Sequence, residues 1–391
     1  MFDLVAHDKA GERILLQCAQ RRSEELGKRV RLYKNNTDYR GHSYGCHDNY
    51  LMRRDVPFEY VKQALIPFNV TRQLFAGAGK VGIETEEGLV EPGRFQISQR
   101  ADFFAVEASV DTMHRRPLVN TRDEPHADPS RYRRLHGIVG DANMSEYATA
   151  LKIGTTALVL ECIEKGVVPE SWQLKDPVGA IRAVSHDPTL RTTLAWADGK
   201  EIAPLEVQRG YLALAQRHCD RSDPDVEWVL GEWELTLDLL ARDPYALVGK
   251  VDWITKKWLL EMFVEEEGVP WEDPWLRSLD LQYHDIDLEE SLFYALQQEG
   301  HVTRLIDEKA VQQAVQSPPP DTRAYLRGEI VRRFGDRLAS AQWDALTFAV
   351  DGRRMRFSLE DLVEPDEVRP WIALLKTAPN VEQFLAEAER Y

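Results

Sequence analysis

The sequence predicts an α+β fold, and three observations carry that prediction. Short extended runs separated by Gly, Asn, Asp and Pro cluster between residues 30 and 140, helical periodicity dominates 145–316, and a proline run at 317–321 precedes a tail with both patterns. Strands grouped ahead of helices disfavour a doubly wound sheet, in which the two alternate.

The opening element reads as a helix. Ile14, Leu15, Cys18, Ala19, Arg22 and Leu26 recur at helical spacing, with Asp8 as the expected cap and Gly27 as the stop. Extended runs are expected at 30–33, 95–99 and 133–139, and helices at about 145–166, 177–185, 205–219, 223–241, 253–266 and 288–300. Ser317-Pro318-Pro319-Pro320-Asp321 cannot continue a helix, because proline lacks the amide donor and clashes with the preceding turn. Beyond it we expect a helix at 322–334, strands at 345–350 and 354–358 joined by Asp351-Gly352, and two terminal helices. The expected organisation is a main domain over 1–316 and a small C-terminal α/β domain over 322–391.

At 391 residues, with 43% hydrophobic and 29% charged, the chain is long enough for a sizeable core and too ordinary for a disordered or fibrous class. Forty-nine basic against 65 acidic residues leave a net charge of -16, which disfavours nucleic acid and acidic membranes as partners. Four scattered cysteines form no CxxC pair, and neither a signal peptide nor a membrane-length apolar run is evident, so a reducing, cytoplasmic location is expected.

Two short runs carry the chemistry. If residues 46–51 are extended, His47 and Asn49 share one face while Asp48 and Tyr50 take the other. Alone, His-x-Asn reads as a histidine satisfied in a loop. A second run at 133–139 places Arg134 and His136 on one face, with Leu135, Gly137 and Val139 on the other. Arginine offers a planar fork of donors to phosphate, and neutral imidazole ligates a divalent cation. Were the two faces to converge, they would make a phosphate-plus-metal site, although sequence alone does not show the convergence.

From Met113 to His136, six arginines (115, 116, 122, 131, 133, 134) face three acids, a local +3 suited to an anionic ligand. Residues 77–82 match GxGxxG, yet no helical pattern follows, so a dinucleotide site is not expected. His42, Cys46 and His47 lack a second ligand pair at zinc spacing. Trp343 stands just before a short strand, where its ring could stack on a base or pack in a core.

Several runs resemble the family of Pup ligases and Pup deamidases/depupylases. They are Asp8-Lys9-Ala10-Gly11-Glu12-Arg13, Tyr33-Lys34-Asn35-Asn36, Ser43-Tyr44-Gly45 with His47 to Leu51, residues 96–102, 120–128 and 132–143, and Thr322 to Gly328. The resemblance implies a glutamine synthetase-like fold: a curved, mostly antiparallel sheet with packed helices, cradling ATP and Mg²⁺, plus a small C-terminal domain. It places His47 and His136 at the metal, and Asn49, Arg134 and Trp343 at ATP. Residues 95–104 and 154–160 look closer to the deamidase/depupylase branch. That branch implies hydrolysis of the C-terminal glutamine amide of Pup and of the isopeptide to a substrate lysine, with Pup and pupylated proteins as partners. The other readings are a Pup–protein ligase or a non-catalytic Pup- or nucleotide-binding paralogue.

The chain also departs from the family pattern. Asp48 stands where Glu is usual. The family's Gly-x-Glu-x-Glu strand and its strand with the catalytic Asp should precede the opening helix and are not seen, so no catalytic residue is assigned and an N-terminal truncation or mis-assigned start is expected. Residues 82–86 imitate the first of these strands but fall between matched blocks, and we read them as coincidence. Pup is acidic, so a local basic groove is expected, with the 115–134 region contributing.

Overall fold

The computed structural model describes residues 1–85, 87–350 and 352–388. In chain order the elements are α1 (Phe2–Leu26), β1 (Asp48–Arg53), α2 (Phe58–Ala76), β2 (Lys80–Thr85), β3 (Gly88–Gln96), β4 (Phe104–Ser109), β5 (Arg116–Asn120) and β6 (Tyr132–Gly137). Next come α3 (Glu146–Glu164), α4 (Pro177–Ser185), the two-residue strands β7 (Leu194–Ala195) and β8 (Glu201–Ile202), α5 (Pro204–His218), α6 (Pro224–Arg242), α7 (Asp252–Glu267), α8 (Pro274–Tyr283), α9 (Leu292–Gln298) and α10 (Glu308–Gln316). The chain closes with α11 (Arg323–Phe334), β9 (Leu338–Ala341), β10 (Ala345–Val350), β11 (Arg353–Ser358), α12 (Pro365–Thr377) and α13 (Val381–Ala388).

The α+β class is observed. The largest sheet runs β1-β6-β5-β4; β1–β6 and β6–β5 are antiparallel and β4–β5 is parallel. Helix α2 lies under it and packs on α3, α4 and α5, and from Ala64 to Ala76 every residue of α2 is buried. Its side chains join those of α3, α5 and α6 in one core that includes Phe68, Phe75, Tyr211 and Trp233.

Local chemistry sets several helix starts. Asp176-Pro177, Asp223-Pro224 and Asp273-Pro274 open α4, α6 and α8, each aspartate capping a free amide and each proline taking the first turn, where no amide donor is needed. Thr322 caps α11 in the same way, just past the proline run. In the C-terminal sheet β10 pairs with β11 through to Val350↔Arg353, and Gly352 (φ 73°) supplies the left-handed turn; Asp351 lies outside the described residues. Leu326, Ile330, Phe348, Phe357 and Phe384 pack into a core of their own.

Three expectations change. Helix α1 begins at Phe2, so Asp8 is not a cap but an ion-pair partner of Lys34 at 2.6 Å, while Gly27 (φ 60°) does end the helix. Residues 30–33 form no strand beyond a bridge from Tyr33 to Asp285. The stretch read as strand-rich also holds the 19-residue α2.

Helix α1 is anchored by a buried charge cluster. Glu12 accepts from Lys9 at 3.0 Å and Lys34 at 2.8 Å, and also from the Tyr294 hydroxyl. Burial pushes its carboxyl up, but Lys34 and Lys9 outweigh burial and hold it down at about 2. A carboxylate held below its unfolded value stabilises the fold at neutral pH and loses that contribution as pH falls from about 4.5 towards 2. Glu12→Gln is therefore expected to cost about 3 kcal/mol at pH 7, with the gap to wild type closing below pH ~4 in urea denaturation. A gap that stays constant between pH 7 and pH 3 contradicts the assignment.

Candidate nucleotide and metal site

Register brings the predicted residues together. In β1–β6, Asn49 opposes His136 and Leu51 opposes Arg134, and β5 adds Asn120 opposite His136. Directly opposed residues share a face, so Asn49, His136 and Asn120 form one row across three strands, with Arg134 in the next. His47 precedes β1 and turns to the same side: its Nδ1 lies 3.2 Å from His136 Nε2, and the rings meet edge to face with centroids 4.8 Å apart. A Cβ on Gly45 would fall 2.5 Å from His47 Nε2, so glycine leaves room for the ring.

The reverse face is structural. Asp48 is buried there, accepting from Arg72 of α2 at 3.0 Å and from the Tyr50 hydroxyl at 2.8 Å. Arg72 also donates to Thr156 of α3 at 2.7 Å. The shorter acid at position 48 therefore has a firm partner.

Electrostatics favour the neutral form of both rings. Burial, then His47, Arg134 and Arg122, push the His136 imidazole down to about 4 against a weaker pull from Asp48. Burial and then Arg100 lower that of His47, with Asp48 opposing and Arg134 adding. Both rings are thus neutral at pH 7, and His136 Nδ1 is buried without a hydrogen-bond partner. Two ring nitrogens 3.2 Å apart match neighbouring ligands on one small cation, for which bonds of about 2.1 Å give about 3.0–3.4 Å. Among the described residues no cluster of three His, Cys, Asp or Glu side chains could hold a metal. Two imidazoles amid arginines therefore suit a cation that arrives with its own anionic ligands.

Arg134 contributes one of several positive charges near the rings, with Arg100 and Arg122. Its backbone amide donates to Asp123 Oδ1 at 3.2 Å, and its Nη2 lies 3.5 Å from Glu124 Oε2, which Arg122 Nε also approaches at 3.4 Å. Arg134 also lines a cavity of about 420 Å³ with Arg54, Lys62, Arg133, Asn120 and Asp123. The loop after β5 is fastened to the C-terminal elements: Arg323 donates to the His126 carbonyl, and His126 Nδ1 lies 3.9 Å from Asp344 Oδ2.

Trp343 is placed differently. It is 66% exposed, stacks against Arg327 at 4.7 Å, and lines an open cavity of about 530 Å³ with Pro318, Ala324 and Val331. Among the described residues, no hydrogen bond or ring contact joins it to His47, Asn49, Arg134 or His136. Its neighbour Asp344 does approach the loop that supplies Glu124 to Arg134.

Other motifs resolve plainly. The glycines at 77–82 lead into β2 rather than a helix, with Gly79 and Gly82 at φ 71° and 96°. Glu84 is buried in an ion pair with Lys80 at 2.7 Å, and Glu86 lies outside the described residues. His42 turns to Asp38 at 2.9 Å. Arg116 is half-buried and donates to the Ser43 carbonyl at 2.9 Å, whereas Arg115 is exposed. Sequence reasoning assigned no role to Arg72, which shows no motif signal, or to Arg100, which lies in the 96–102 run; the structure shows both as buried hubs.

Residues 1–347 match the family model described as Pup-ligase protein. A depupylase of Acidothermus cellulolyticus is 49% identical, the match covering 90% of this chain and 70% of that protein. A Pup deamidase/depupylase of Mycolicibacterium smegmatis is 47% identical with the same coverages, and a Pup–protein ligase of Acidimicrobium ferrooxidans is 46% identical over 85% of this chain and 74% of that one. Among solved structures, the Pup ligase PafA in complex with ADP superposes with a TM-score of 0.84 at 33% identity, covering 97% of this chain and 84% of that one. The complex between Pup and PafA gives 0.84 at 33%, covering 99% and 80%. With the fold and these matches in agreement, the chain belongs to the Pup ligase family.

Proposed function

We propose that this chain acts in the cytoplasm as an ATP- and Mg²⁺-dependent Pup deamidase and depupylase, cleaving the C-terminal glutamine amide of Pup and the isopeptide that joins Pup to a lysine. The pair of neutral imidazoles 3.2 Å apart, ringed by Arg100, Arg122 and Arg134, carries the nucleotide-and-metal part of this reading. His47 and His136 would hold the cation, Asn49 and Arg134 the nucleotide on the same sheet face, and Trp343 the base. When bound, the cation supplies positive charge to phosphate oxygens. The protein's own residues keep two lone pairs unprotonated, aim Arg134 along the same face, and tie the covering loop to the C-terminal elements. We further propose that residues 322–391 form a separate small domain beside a main domain over 1–316, a division that the separate core favours.

The choice of branch rests on the relatives named depupylase and deamidase, whose identities of 49% and 47% stand slightly above the 46% of a ligase. The ligase reading keeps support from the PafA structures, one with ADP and one with Pup. In either branch acidic Pup would meet exposed Arg115 and the arginines near Arg134. Incubation with Pup ending in glutamine, with ATP and Mg²⁺, is the test. Ammonia release is expected; ligation of Pup ending in glutamate to lysine with ATP turnover would establish the ligase instead, and binding without either reaction would leave a binding paralogue.

A further inference from the structure

We propose that Arg72 and Arg100 are positioning residues that fix the separation of His47 and His136, an inference that rests on those rings being the cation's ligands. Both side chains are buried, at 2% and 1% exposure, and neither is hydrogen-bonded to either ring among the described residues. Arg100 donates through Nη1 to the Ile138 and Gly140 carbonyls and through Nε to Ser43 Oγ at 3.2 Å. Arg72 donates through Nη2 to the carbonyl between them, that of Val139, and through Nη1 to Asp48 at 3.0 Å. Three consecutive carbonyls, starting two residues after His136, are therefore held by two guanidinium groups from different elements. Each group reaches across to the segment bearing His47, one at the adjacent residue and the other four residues earlier.

The arrangement is costly for a merely structural contact. Arg100 has no carboxylate within ion-pair distance among the described residues, and a buried cation satisfied by neutral acceptors is seldom better for stability than an apolar side chain of similar volume. What arginine adds is a rigid fork with five donors, able to bind two strands at fixed spacing. The backbone also conforms to it: Gly140 adopts φ 127°, and a Cβ there would lie 3.1 Å from Arg72 Nη2. Groups that orient ligands from behind typically change metal affinity by about 10–100-fold when altered.

The test uses the full chain with Mn²⁺ and ADP as probes, measuring Mn²⁺ affinity and the ¹⁴N couplings of bound imidazole by pulsed electron paramagnetic resonance. Arg100→Lys and Arg72→Lys keep the charge but lose the fork, and Arg100→Met removes both. Each folded variant should bind Mn²⁺ with ADP at least ~10-fold more weakly and lose the coupling of one ring while keeping wild-type circular dichroism; added ethylguanidinium should partly restore Arg100→Ala. If the methionine variant does not fold, the lysine variants decide. Wild-type affinity with both couplings intact in folded Arg100→Lys and Arg72→Lys would overturn the positioning role alone. Absence of ¹⁴N coupling in the wild type, or its persistence in a His47→Ala/His136→Ala double variant, would overturn the underlying ligand assignment and the positioning role with it.

Discussion

Replacing Lys256 by methionine is expected to destabilise the chain by about 3–5 kcal/mol, the cost of leaving a buried carboxylate without its counter-ion. Lys256 of α7 and Asp280 of α8 are both essentially inaccessible and lie 2.5 Å apart. The ammonium also donates to the Gly79 carbonyl at 2.8 Å and to His284 Nε2 at 2.7 Å. Burial, and then Lys256 itself, hold His284 well below the usual histidine range, so its neutral ring can accept that bond. Asp280 further accepts from the Val81 amide at 2.8 Å and the Tyr39 hydroxyl at 2.5 Å, linking α7 and α8 to the glycine-rich entry to β2. Removing the cation leaves the Asp280 carboxylate buried without its counter-ion, held only by the Val81 amide and the Tyr39 hydroxyl, whereas Lys256→Met/Asp280→Asn removes both charges. The double variant should be more stable than the sum of the single effects by about 0.5–3 kcal/mol. Chemical denaturation of the four proteins checks this, and a single variant within 1 kcal/mol of wild type would show that the pair is not a stabilising hub.

The second large effect concerns the ligand site. His136→Ala should abolish the thermal stabilisation that Mn²⁺ with ADP gives the wild type, about 2.7 kcal/mol when ligand stands at 100 times its dissociation constant. The ring supplies one of two candidate nitrogen ligands, and its row neighbour Asn49 offers an amide rather than a comparable lone pair. Without ligand the variant should melt close to wild type, because the ring makes one side-chain hydrogen bond and leaves Nδ1 unpaired. A ligand-dependent shift retained in His136→Ala would refute its placement at the cation.

How much of this was legible in sequence depends on what kind of interaction decides each feature. The period-2 pattern at His47-x-Asn49 and Arg134-x-His136 gave the shared faces correctly, because strand alternation is a local property; the pairing of Asn49 with His136 is long-range and needed coordinates. Helix α2 was hidden for a related reason. It is buried almost all round, so it lacks the polar face that marks an amphipathic helix, and Pro67 reads as a breaker although it sits inside the helix. The start of α1 was misplaced because Asp8 resembles a cap while Lys34 is its partner, 26 residues away. Arg72 and Arg100 serve backbone carbonyls, which leave no trace in residue spacing. By contrast, the proline run and the β10–β11 hairpin are written in local backbone chemistry and are readable directly, whereas α8, which opens at Asp273-Pro274, is not among the expected helices.

The central claim is that His47 and His136 together hold one nucleotide-bound cation. Crystals of the chain grown with ADP and Mn²⁺, with data collected above and below the manganese absorption edge, test it most directly. The account predicts an anomalous peak at bonding distance from a ring nitrogen of each histidine, with phosphate density on the Arg134 side; a manganese peak elsewhere, with both rings still hydrogen-bonded only to each other, would contradict it.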